Sequence, residues 1–248
     1  MIRSSLAAGL CAAVIAFVAP QETPAAKKDE PRVERIAAPT GTDAKKRLLP
    51  DAVPEPFAKL LDDKTGVRLV GADGKALCNL WIRTTIATNA KAAPGGVKLG
   101  RLVPGSFVGV LSIVGEACDY RDQPIEAGLY ALRYFVQPSD GNHLGTADTR
   151  DFLLLTKFEQ DRDPAPIATQ EKLVEFALAA TTGTHAHVLY VAAIPEAIAA
   201  EKPAADGLPR LFQRPKREEW ALDLSIAAEK AGDDPIRFGL VLIGHTPG

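Results

Sequence analysis

From residue 66 onward, apolar and polar positions alternate in short runs, and a period of two marks strands with one buried face. Residues 67–70 and 77–86 flank Gly71-Ala72-Asp73-Gly74, a turn sequence that predicts a hairpin. Residues 97–102 follow the breaker Pro94-Gly95-Gly96, and residues 107–114 follow Pro104-Gly105, so both read as strands. The clearest strand covers residues 128–137, with Tyr130, Leu132, Tyr134 and Val136 on one face and Leu129, Arg133 and Phe135 on the other. Residues 152–156 and 187–191 are further β-type runs. After a Pro-rich insertion at 203–215, Trp220, Leu222, Leu224 and Ile226 alternate with polar or small neighbours. Residues 236–243 are apolar on both faces apart from Arg237, which predicts a central strand.

One stretch has helical spacing instead. Thr169 suits an N-cap, Leu173, Phe176, Ala177 and Ala180 share a face, and Gly183 is the stop. Phe57, Leu60 and Leu61 suit a short helical turn at the start of the domain. About nine short strands, one accessory helix and no βαβ alternation predict a mainly β fold, a β-sandwich of Ig-like or jelly-roll-like form. It is read as a single domain over residues 57–248.

The N-terminus has a different character. Arg3 precedes an apolar run over residues 6–19, too short to span a bilayer comfortably but suited to a signal segment over residues 1–20. The expectation is an exported chain, periplasmic or extracellular, cleaved near Ala19, Ala25 or Ala26, or kept as an anchor that is its only membrane contact. Cys11 raises lipidation, but Leu10 is too large for the residue before a lipidated cysteine. Residues 21–56 carry Pro24, Pro31, Pro39, Pro50, Pro54 and Pro56 among mixed charges, which predicts a disordered linker. In an exported chain Cys78 and Cys118 are expected to form a disulfide, worth up to about 4 kcal/mol.

Charge removes one class of partner. The 248 residues hold 29 Lys and Arg against 31 Asp and Glu, with 6% aromatics, so neither a basic surface nor stacking platforms speak for nucleic acid. Common catalytic signatures are also missing: no G-x-S-x-G, H-E-x-x-H, C-x-x-C or phosphate loop occurs.

Three groups of residues remain as candidates. His185 and His187, two apart on a strand, point the same way and suit a divalent metal, with His143, His245 or a loop carboxylate as third ligand. The polar loop containing Asp140, Asn142, His143, Asp148 and Arg150 is the candidate binding loop. It partly mimics a calcium loop, but Leu144 fails the pattern and Asp151 stands where a bidentate Glu belongs. Asp119 and Asp122 suit an acid–base pair, although an ion pair of one of them with Arg121 or Arg133 is the stronger expectation, since an arginine among apolar neighbours needs an internal partner. Asp161 and Asp163, beside Pro164, read as a turn.

The segment from Tyr120-Arg121-Asp122-Gln123-Pro124-Ile125 through Gly128-Leu129-Tyr130-Ala131-Leu132-Arg133-Tyr134, continuing in Gln137-Pro138, Asp140-Gly141-Asn142-His143 and Arg150-Asp151-Phe152, resembles a group of exported bacterial proteins of unknown function. Its Ile125-x-x-Gly128-x-Tyr130-x-Leu132 core is loosely similar to strand starts in secreted β-sandwich domains. The resemblance implies export and a sandwich and supplies no catalytic residue. The leading expectation is therefore a non-catalytic binding or accessory module for an envelope or extracellular ligand. The alternative is a metal-binding protein or metalloenzyme, and the third a cell-wall or polysaccharide hydrolase.

Overall fold

The alternating runs pair into one continuous antiparallel sheet. The computed structural model describes residues 30–36, 48–62, 66–89, 98–138, 147–201, 207–214 and 218–244. Its strands are β1 Arg32–Arg35, β2 Val67–Val70, β3 Ala76–Ile82, β4 Thr85–Ile86, β5 Phe107–Ile113, β6 Ala117–Cys118 and β7 Pro124–Ile125. They continue with β8 Gly128–Val136, β9 Asp151–Thr156, β10 Val188–Ala192, β11 Arg210–Arg214, β12 Glu219–Ala228 and β13 Ile236–Ile243. Three helices, α1 Glu55–Ala58, α2 Gln170–Leu178 and α3 Glu196–Ala199, lie between them. The sheet has 11 strands in the order β1-β2-β3-β5-β8-β9-β10-β13-β12-β11, with β4 added on β12; β6 and β7 form a separate ribbon.

The sheet curls nearly into a barrel. One face supplies the inner core, where Leu80, Leu111, Leu132, Leu155, Leu189 and Leu240 meet. The outer face is covered in two places. Leu173 and Ala177 of α2 pack on Phe152, Leu154 and Tyr190, while Leu49, Val53 and Phe57 pack on Trp81, Phe107 and Val110. A mainly β chain is thus found, but the expected β-sandwich gives way to a single curled sheet. The ladder runs unbroken from β10 to β13, at Val191↔Leu240, so no gap divides the strands into two layers.

Closure of the barrel is incomplete. Every neighbour along the ten-strand path is antiparallel, so β1 and β11 run in opposite directions, as an even-numbered closed barrel requires. Their Cα atoms approach within 8 Å, yet no ladder joins them among the described residues. The chain leaving β3 instead crosses the seam as β4 and pairs in parallel with β12 at Ala227↔Thr85 and Ala228↔Ile86.

The sequence expectations meet their corrections here. The helix is capped as expected, Thr169 Oγ1 accepting from Lys172 N at 3.3 Å, but it ends at Leu178, before Gly183. Residues 98–102 form no strand; Leu102 makes only an isolated bridge with Thr88, and the backbone N–H groups of Lys98 and Leu99 donate to the buried Asp151 carboxylate at 2.6 and 2.9 Å. Within the expected linker, Arg32–Arg35 forms β1 on β2, and Leu49 and Val53 are buried. Those apolar side chains are isolated in sequence, and only the hollow beneath them on the outer face gives them a place. Residues 210–214, read as part of an insertion, form β11.

The expected Cys78–Cys118 disulfide is absent, and both thiols are free. Cys78 points into the inner core opposite Leu69 and Ile113, where burial pushes its thiol up to about 12. Cys118 lies exposed on the β6–β7 ribbon. Partial burial and then the carboxylates of Asp122, Asp119 and Glu116 raise its thiol too, so neither forms a ready thiolate.

Arg133 does have the internal partner that its apolar neighbours demand. Its Nε and Nη2 donate to Asp161 at 2.7 and 2.5 Å, and its remaining donors reach the carbonyls of Gly105 at 3.0 Å, Asp163 at 2.5 Å and Ala165 at 2.8 Å. Phe57 and Phe107 present their rings to the guanidinium at 5.6 and 5.7 Å. The expected partners Asp119 and Asp122 are not involved.

Two stability outcomes follow. Arg133→Met leaves the Asp161 carboxylate buried without its counter-charge and should lower unfolding free energy by about 3–5 kcal/mol in urea titration. Phe57 is wholly buried, edge-on to Phe107 and Phe158 at 4.9 and 5.0 Å. Phe57→Ala should therefore cost about 3–5 kcal/mol by the same measurement.

Candidate functional site

Among the described residues, the sequence-predicted side chains are not gathered into one site. Asp140, Asn142, His143 and His245 lie outside the described residues. The loop's described members are engaged by the barrel itself. Asp148 pairs with Arg214 at 2.7 Å; that guanidinium also bonds Glu219 and lies 5.1 Å above the Tyr190 ring. Arg150 Nε donates to Gln137 O at 2.8 Å, tying the two ends of the loop together.

His185 and His187 do not share a face. β10 begins only at Val188, so residues 185–187 lack the regular pleat that would align the imidazoles. His185 is exposed and His187 buried. Among the described residues no group of three or more His, Cys, Asp and Glu side chains converges as a metal site.

His187 faces Asp119 instead, Nδ1 lying 3.7 Å from Oδ2. Asp119 accepts from the backbone N–H groups of Arg121, Gln123 and Val188 at 2.8, 3.0 and 3.2 Å, and from Gln123 Nε2 at 3.0 Å. Burial alone would raise its carboxyl, but the nearby imidazole and the three backbone donors outweigh that and hold it below the usual carboxylate range. Asp122 occupies the tight turn at φ 62°, its N–H donating to the Asp119 carbonyl. The geometry is that of a clamp: Asp119 fastens the β6–β7 ribbon to β10, where Tyr120 N also donates to Val188 O at 2.9 Å.

A concave feature lies at the seam. β11 pairs with β12 from Glu219 to Asp223, and β4 pairs with it at Ala227 and Ala228. Leu224, Ser225 and Ile226 have β13 on one side and no ladder partner on the other among the described residues. The cause is local. Pro209, next in register after Arg210, has no N–H to donate, and Gly207 takes a left-handed backbone conformation at φ +69°.

The gap opens into a cleft of about 680 Å³. Val67, Leu80, Leu224, Ile82 and Leu208 form its apolar lining, and Arg35, Arg83, Arg210 and Arg237 stand around it with Asp62, Glu201 and Asp223. Arg237 holds Asp223 at 2.5 Å and the carbonyls of Ala199 and Ile198 at 3.1 and 3.4 Å. Arg210 pairs with Glu201 at 2.8 Å and also reaches Ile198 O at 3.4 Å. The two guanidiniums thus hold the C-terminal end of α3, just before Glu201, which lines the cleft. Across it, Arg83 pairs with Glu229 at 2.9 Å and donates to Thr85 O at 2.5 Å, fixing the start of β4.

Sequence reasoning passed over this cleft. Its signals are Gly207 and Pro209 just before a strand, and arginines recurring at strand ends. Both are legible only once the pairing of β11 and β4 with β12 is known.

Asp119 generates a prediction with a definite sign. A carboxyl held below its unfolded value of about 3.9 stabilises the fold fully above that value, and the contribution is lost as pH falls through the folded value. Asp119→Asn should cost about 1–3 kcal/mol at pH 7. The gap between variant and wild type in urea midpoints should narrow as pH falls below about 4. A gap independent of pH would show that the charge contributes nothing.

No family model, no curated protein and no solved structure matches this chain.

Proposed function

We propose that this chain is an exported, non-catalytic binding module that seats its ligand in the seam cleft. The observation that carries the reading is the edge of β12, interrupted among the described residues, where Val67, Leu80 and Leu224 border a cavity of about 680 Å³. That size falls within the range of small-molecule and cofactor sites, and the seams and mouths of barrels are common places for them. An apolar lining beneath a rim of guanidiniums and carboxylates suits burial of a ligand's apolar part with its polar end at the rim. The rim side chains are organised to position: Asp223 is committed to Arg237 and Glu201 to Arg210. Export rests on the first twenty residues. Among the described residues no helix is long and apolar enough to cross a membrane.

The test uses an environment-sensitive apolar fluorophore, anilinonaphthalene sulfonate, with the full mature chain. Saturable binding should weaken about tenfold, or by about 1.4 kcal/mol, in Leu208→Trp, which fills the cleft from a residue outside any strand. Equal affinity in a variant of unchanged thermal midpoint would place dye binding elsewhere and defeat the reading.

A further inference from the structure

Two peptide bonds in the sequence join aspartate to proline, Asp163–Pro164 and Asp234–Pro235. Such a bond is the most acid-sensitive in an ordinary chain. The carboxylate stands one methylene from the α-carbon of its own residue, so it can close a five-membered ring onto its own carbonyl carbon. The proline nitrogen belongs to a tertiary amide and leaves readily once protonated.

The fold treats the two bonds unequally. The carbonyl of Asp163 accepts from Arg133 Nη2 at 2.5 Å, and that guanidinium is wholly buried. Nη2 gives its other hydrogen to Asp161, so the donor is fixed in place before any reaction. A fixed donor on a carbonyl oxygen, away from water, favours the negative charge which that oxygen gains on nucleophilic attack. The nucleophile is held as well. Asp163 Oδ1 accepts from Ala165 N at 2.9 Å, an Asx turn that keeps the carboxylate on the C-terminal side of its own residue, beside the carbonyl carbon. Asp163 is exposed, so water and protons reach it. At Asp234 the carbonyl receives Arg101 Nη1 at the longer distance of 3.3 Å, from a side chain that is partly exposed.

We propose that Asp163–Pro164 is a self-cleavage site, cut by the Asp163 carboxylate with Arg133 as the donor to the developing oxyanion. A carboxylate oxygen bonds to the carbonyl carbon, and the carbonyl oxygen takes the charge at Arg133. Collapse of this tetrahedral species breaks the C–N bond; the electron pair goes to the Pro164 nitrogen, which takes a proton from solvent. Water then opens the cyclic anhydride and leaves two carboxyl groups on Asp163, one of them already at Arg133 Nη2. Each chain performs the step once and without the seam cleft, so it is processing and not turnover. Afterwards β9 on one fragment still has β10 on the other as its ladder partner, and β4 still has β12.

The test follows the purified chain by intact-mass spectrometry below its thermal midpoint, at about pH 4, where an ordinary aspartate is partly ionised and protons are still available. Fragments ending at Asp163 and beginning at Pro164 should form about tenfold or more faster than those from Asp234–Pro235, and faster by a similar factor than the same cut in chain unfolded by urea. Asp163→Glu keeps the charge but enlarges the ring that must close, and Pro164→Ala replaces the leaving nitrogen with an ordinary amide. Both should abolish the fragments in protein of unchanged thermal midpoint. Fragments that persist in Asp163→Glu would reveal a contaminating protease acting on the loop and overturn the proposal. Equal rates in folded and unfolded chain would reduce the cut to the bond's intrinsic lability and overturn it too, as would equal rates at the two Asp–Pro bonds or no cleavage at all.

Discussion

The constraint on which the outer half of the structure depends is the burial of the Arg133 charge. β8 lies at the middle of the sheet, flanked by β5 and β9, and its alternation places Leu132 and Tyr134 in the inner core. Residue 133 must then point outward, into the space under residues 48–61 rather than into water. A desolvated guanidinium is tolerable only when its donors are satisfied and its charge is matched. Asp161 matches the charge and itself receives the Thr156 hydroxyl at 2.6 Å. The carbonyls of residues 163–165 converge on the same group, so the loop after β9 is drawn flat against the barrel. Gly105 closes the arrangement: its carbonyl accepts from Arg133, and with φ +83° a Cβ there would sit 2.4 Å from Ile167 O. The aromatic ring of Phe57 caps it, which is why a segment with little apolar periodicity of its own is held in place.

Buried carboxylates repeat this logic elsewhere in the barrel. Asp151 collects two backbone N–H groups from residues 98–99 and the Tyr134 hydroxyl at 2.8 Å, drawing Leu99 and Leu102 into the inner core. The same carboxylate, after the burial of the ring itself, keeps the Tyr134 phenol protonated far above its ordinary range. Asp119 fastens the β6–β7 ribbon in the same way. In each case a charged acceptor joins segments distant in sequence, through charge-assisted bonds to backbone or phenol donors that would otherwise be left without partners in a poor solvent.

How much of this was legible follows from which rules act locally. The strands at 67–70, 107–113, 128–136 and 236–243 and the Thr169 cap depend on period and on neighbours in sequence, and they appear within a residue or two of expectation. Arg133's need for a partner was legible for the same reason. The partner was not: Asp161 lies 28 residues away and looks, beside Asp163, like turn chemistry. Asp163 does have that role, accepting from Ala165 N at 2.9 Å. β1 and β11 were missed because Arg32-Val33-Glu34-Arg35 and Arg210-Leu211-Phe212-Gln213-Arg214 are charged at their ends, and composition alone reads such segments as solvated. The two cysteines show the reverse error. An even count suggested a bond, but the count carries no information about which face each residue takes.

The charged termini of β1 and β11 also explain why the seam exists. An open sheet edge invites pairing with another chain, and natural sheets guard it with charges, proline and short strands. Here β1 is four residues long and carries an Arg32–Glu34 pair at 2.8 Å, and β11 is preceded by Pro209 and bounded by Arg210 and Arg214. These devices discourage indefinite edge-to-edge association, and they equally prevent β1 and β11 from completing the barrel through a mutual ladder. Among the described residues the gap is bridged where β4 reaches β12, and Leu224, Ser225 and Ile226 have no ladder partner on that side. An edge so short cannot nucleate a sheet. Protection against edge-to-edge pairing and the opening of the seam thus arise from the same few residues.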